Sequence, residues 1–69
     1  MENTDELKKL KMLLCYWREH NNEHAQNYRE WSEKTLSLGE QKLSKILISL
    51  FDETKKLDRL FEEAIKIIR

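Results

Sequence analysis

Two histidines one helical turn apart, His20 and His24, are the residues of this chain whose spacing best suits chemistry. At i and i+4 on a helix their rings lie on one face and converge on one point. Zn²⁺ accepts imidazole nitrogens at about 2.0–2.1 Å. The pair is therefore a candidate half-site for zinc or another divalent transition metal. Two ligands do not close a site. Glu19 and Glu23 on the same helix, Asp52 and Glu53 further along the chain, or the same histidine pair from a symmetry mate could complete it, with Glu23 and Glu53 the foremost carboxylates. The H-E-x-x-H pattern of zinc proteases is absent, because Asn21, Asn22 and Glu23 separate the histidines. The Glu-x-x-His pattern of di-iron bundles is absent too, since Trp17 and Asn21 stand three residues before them. The competing reading is a hydrogen-bonded polar layer that fixes helix register and oligomeric state. It is the reading the residues favour.

Little else in the chain suggests catalysis. Cys15 and His20 are five residues apart, on different faces of one helix, and Ser44 and Ser49 lie well toward the turn from His24. No nucleophile–base pair results. One glycine rules out a glycine-rich phosphate loop. Cys15, beside Leu14 and Tyr16, reads as a small packed or interfacial residue. No enzyme and no assured cofactor are expected. The 13 basic and 13 acidic residues cancel and interleave, as around Lys8, Lys9 and Lys11 or Lys55, Lys56 and Arg59. That pattern describes a solvated face and gives no basic stripe for nucleic acid. No apolar run approaches the roughly 20 residues that span a bilayer. The acidic start suits a helix and not an export signal. A single cysteine cannot form an internal disulfide, so a reducing, cytoplasmic setting is expected.

The elements that position the histidines follow from periodicity. Leu7, Leu10, Leu14, Trp17, Asn21, His24, Tyr28, Trp31, Thr35 and Leu38 step by three and four, a heptad pattern. Asn3 or Thr4 can cap this helix, with Asn3 and Glu6 at capping-box spacing. Gly39 is the natural left-handed stop. Leu43, Leu47, Leu50, Thr54, Leu57, Phe61, Ala64 and Ile68 form a second stripe, widened by Ile46, Phe51, Leu60, Ile65 and Ile67. The sequence predicts an all-α fold in one domain, residues 1–69. A helix over about 4–38, a turn at Gly39 and a helix over about 40–69 make an antiparallel hairpin roughly 45–50 Å long. The alternative is three helices, with a break at Asn21-Asn22, because asparagine is a poor helix former.

Folding back at Gly39 sets Trp31 against Leu47, Tyr28 against Leu50, Trp17 against Phe61, His24 against Thr54 and Asn21 near Leu57. Both stripes lose apolar character at one level, so the hairpin has a polar waist. A chain this short rarely draws more than about 3–5 kcal/mol from its own core. The apolar surface left over predicts a homodimer in the form of a four-helix bundle, with Leu14, Trp17, Trp31, Phe51 and Phe61 at interfaces. Ala25 and Ser32 flank the first stripe, where small side chains permit close helix approach.

Trp17, His20, Asn21, His24 and Ala25, followed by Tyr28, Trp31 and Lys34, resemble a group of small archaeal and bacterial helical-hairpin domains of unknown function. Those carry a His-Trp-x-x-His-Asn-x-x-His-Ala run, then an aromatic and Trp-x-x-Lys. The resemblance covers most of the first helix and implies a hairpin, with no activity to carry over. Tyr16 stands where the group often has a further histidine, which weakens a metal reading here. The function expected is a non-enzymatic, oligomeric interaction or scaffold module. The alternative is a small metal-binding protein that uses His20 and His24.

Overall fold

The computed structural model describes residues 2–68, with side-chain surroundings from Thr4 to Ile68. Two helices, α1 (Glu2–Ser37) and α2 (Gln41–Ile67), pack against each other as an antiparallel hairpin. Its Cα extents are 57 × 14 × 11 Å. α1 is unbroken through Asn21-Asn22, which excludes the three-helix alternative. It is also helical from Glu2, so Thr4 lies inside the first turn and does not cap it. The side chain of Asn3, the other expected cap, lies outside the described residues.

The turn is a Schellman motif. Gly39 N–H donates to the Leu36 carbonyl at 3.0 Å and Glu40 N–H to the Thr35 carbonyl at 2.9 Å. Gly39 takes φ +83°, the left-handed region in which a Cβ is strained. No heavy atom lies within 4 Å of where that Cβ would stand, so only the backbone would object. Gly39→Ala is expected to cost about 1–2 kcal/mol, and Gly39→Asn less, since asparagine tolerates this conformation. Urea unfolding of the two variants at one protein concentration checks the order.

The hairpin seam is rotated from the one the heptads predict. Leu14, Asn21 and Tyr28 are half-buried and Thr35 is buried, as expected of the stripe. Trp17, His24 and Trp31, expected beside them, are exposed, and Arg18, Ala25 and Ser32 take their places. On α2, Leu47, Thr54, Phe61, Ala64 and Ile68 are half-buried, as expected of the stripe. Leu43, Leu50 and Leu57 are exposed, and Ser44, Phe51 and Asp58 replace them. Each seam has kept one row and exchanged the other for the row one residue on.

Side-chain size explains the exchange. Ala25 and Ser32 are 1% and 2% exposed, so the backbones come close where these residues sit. Tryptophan at those positions would hold the helices apart. The buried hydroxyls all find carbonyls, two within α1 and one across the seam, which lets them be buried cheaply. Ser32 donates to the Arg29 carbonyl at 2.6 Å and Ser44 to the Ser32 carbonyl at 2.7 Å. The Thr35 hydroxyl reaches the Trp31 and Ser32 carbonyls at 2.9 and 3.0 Å.

Candidate functional site

The waist is built from two different layers. Inside the seam, Asn21 Nδ2 donates to the Thr54 carbonyl at 2.9 Å. At the seam's edge, Lys55 Nζ reaches Asn22 Oδ1 at 3.0 Å and Asp58 Oδ2 at 3.1 Å. Arg18 and Glu62 approach to 3.9 Å. Asp58 Oδ1 is buried with no partner, which puts a carboxylate in the seam that the heptad pattern did not flag. This is the polar layer expected of the waist. The histidines are not in it: the sequence set His24 against Thr54, and Asn21 takes that place.

His20 and His24 stand outside the seam and both are exposed. Their rings meet edge to face with centroids 4.5 Å apart. Tyr16 stacks on His20 at 6.0 Å and Tyr28 on His24 at 6.2 Å, so four rings at i+4 steps form a ladder along α1. Glu23 Oε2 lies 3.8 Å from His20 Nδ1. Glu53 is on α2 and pairs with Lys56 at 3.2 Å. Within the single chain, among the described residues, no three His, Cys, Asp or Glu side chains gather as a metal would need. Cys15 is free and exposed, so of the two places the sequence allowed it, packed or interfacial, it does not take the first within the hairpin.

Helical phase shows where the displaced row went. At about 100° per residue, the row Leu10, Trp17, His24, Trp31 and Leu38 lies about 80° to one side of the α1 seam. Leu13, His20, Asn27 and Lys34 lie beyond it on the same side. On α2 the row Leu43, Leu50, Leu57 and Ala64 is displaced by the same angle in the same sense. Because the helices are antiparallel, equal displacements bring both rows to one broad side of the hairpin. Ile46, Glu53, Leu60 and Ile67 flank the α2 row there.

The two broad sides therefore differ in kind. The links that cross between helices outside the seam, Lys55 to Asn22, Arg18 to Glu62 and Arg29 over the Phe51 ring at 5.9 Å, all lie on the other side. The side that carries the displaced rows is apolar and open. It holds eleven of the sixteen large apolar residues that are exposed, Trp17 at 44% and Trp31 at 53% among them. Lys34 covers part of Trp31, its Nζ 4.5 Å from the ring centroid. At the midpoint of this greasy side sit His20, His24 and Glu53. No helix among the described residues is long and apolar enough to cross a membrane.

Fold and face together define a class: a long helical hairpin that carries most of its exposed apolar residues on one broad side. The chain belongs to the family described as Domain of unknown function (DUF8180), whose model matches residues 10–68. No curated protein and no solved structure matches it. The family match takes in both helices, the turn, the histidine ladder and the open face.

Proposed function

We propose that this chain is a non-enzymatic self-association module, in which two hairpins stack open side to open side as a four-helix bundle and present their polar sides outward. The observation that carries the reading is the pair of unpartnered apolar rows on one side of the hairpin. At roughly 150–200 Å² for each large side chain, about half of it open, eleven residues expose on the order of 1,000 Å². The largest apolar patch of a typical monomer is about 300–600 Å², and a stable interface takes about 800 Å² from each partner. A second copy fits both the size and the length of the face.

Complementarity selects the symmetry. A two-fold axis parallel to the helices keeps every residue at its own level and lays α1 of one copy on α2 of the other. Levels follow from the Asn21–Thr54 bond and the contact of Ser44 with Ser32. Trp31 then meets Leu43 and Ile46 of the second copy, Trp17 meets its Leu57 and Leu60, and the histidines meet its Glu53. An axis across the helices would set Glu53 against Glu53 and Trp17 near Asn27, which is worse for both pairs. The lone free cysteine suits a reducing, cytoplasmic module.

Sedimentation at micromolar concentration tests the proposal. The wild type is expected at twice the 8.4 kDa chain mass. Leu50→Glu with Leu57→Glu is expected to abolish the dimer, whereas Ile48→Glu, on the opposite side, leaves it intact. A folded wild-type monomer both with and without added zinc, or a dimer untouched by the double variant, would overturn the reading.

A further inference from the structure

We infer that the stacked dimer is a metal protein whose site neither chain completes alone: His20 and His24 of one copy and Glu53 of the other bind a divalent transition metal of the zinc type, twice per dimer. The inference rests on the two-fold stacking proposed above. Three observations carry it. The imidazoles already approach at 4.5 Å between centroids, on one face and one helical turn apart. Tyr16 and Tyr28 stack on their outer faces, with centroids 6.0 and 6.2 Å away. Within the chain, the described residues supply no third ligand, so the pair is a half-site that faces outward from the middle of an apolar surface.

The missing carboxylate is at the right level. Thr54 receives the Asn21 bond, which puts Glu53 of α2 beside the waist and on the open side. The axis parallel to the helices carries this residue onto the histidines of the second copy without changing its level. Its present partner is Lys56, exposed, at 3.2 Å. An exposed ion pair of this kind is worth about 0–1 kcal/mol and is readily given up to a metal. Two imidazoles and a carboxylate are a three-ligand zinc set that leaves a fourth position for water. Trp17 of the same copy, with Leu50 and Leu57 of the other, would border the site and limit solvent access, which strengthens charge interactions inside. Glu23, 3.8 Å from His20 Nδ1, is left to orient that ring as an outer partner.

The test uses untagged full chain, zinc titration by calorimetry and sedimentation with and without chelator. Wild type is expected to bind one zinc per chain, and cobalt in its place to give the visible absorption of a four-coordinate ion. His24→Gln and Glu53→Gln should each weaken zinc binding at least tenfold, and Glu23→Gln much less. Mixing decides whether the site is shared. His20→Gln/His24→Gln and Glu53→Gln chains, each defective alone, should together recover about a quarter of the wild-type zinc. That is one intact site in the half of the dimers that are mixed. No recovery on mixing, or a Glu53→Gln chain that binds as wild type does, overturns the shared site. A dimer that persists in chelator and takes up no zinc overturns the metal and leaves the self-association. A monomer under both conditions overturns the self-association itself. A monomer in chelator that zinc converts to a dimer supports both.

Discussion

Dilution is expected to unfold this protein. The thermal midpoint, followed by circular dichroism at 222 nm, should fall by on the order of 10 °C as concentration drops a hundredfold from about 100 μM. The reason lies in what the hairpin buries. Among the described residues the buried set is Ala25, Ser32, Thr35 and Ser44, two methyl groups and three hydroxyls. Hydroxyls that bond to nearby carbonyls are tolerated in a seam but add little burial of apolar area. The residues that could supply such burial, Trp17, Trp31, Leu50, Leu57 and Leu60 among them, are on the open side. A two-helix chain that leaves them in water is at or below the limit of independent stability. If a second copy covers them, most of the stabilising area lies between chains, and folding and association become one equilibrium. A midpoint independent of concentration would sink this account.

Much of the architecture could be read from the chain. Gly39 is the only glycine, it follows an unbroken heptad run, and it forms the left-handed turn. Asn21 to Thr54 lies within three residues of the expected register. What could not be read was the phase of the seam. Periodicity fixes how often a helix returns to a face, and here each helix returns to two adjacent faces. Leu10, Trp17, Trp31 and Lys11, Arg18, Ala25, Ser32 are both seven-residue rows, one position apart. Apolar content favours the first row, yet the hairpin uses the second. The usable signal was size: Ala25 and Ser32, seven residues apart, mark where backbones approach. The waist followed the same error. His24 and Asn21 share a level but not a face, so one polar interruption became two, a bonded layer around Asn21 and an open pair of imidazoles.

That division gives the second large expectation. Ala25→Leu should destabilise the hairpin by about 1–3 kcal/mol, the usual cost of added methylenes in a filled seam. Ala25 is 1% exposed and lies in the seam, level with Phe51. The loss should appear in urea unfolding at every protein concentration, because it falls within each chain. Ala25→Gly separates packing from helix propensity, since glycine costs about 1 kcal/mol in a helix without adding volume. Trp17→Ala should act at a different place. Trp17 is exposed on the hairpin, so its removal takes little from the seam and a great deal from two stacked hairpins, and sedimentation should show the dimer weakened. A Trp17→Ala chain that dimerises as the wild type does would mean that the open row is not an interface. A loss from Trp17→Ala alone would mean that the seam lies where the heptads first placed it.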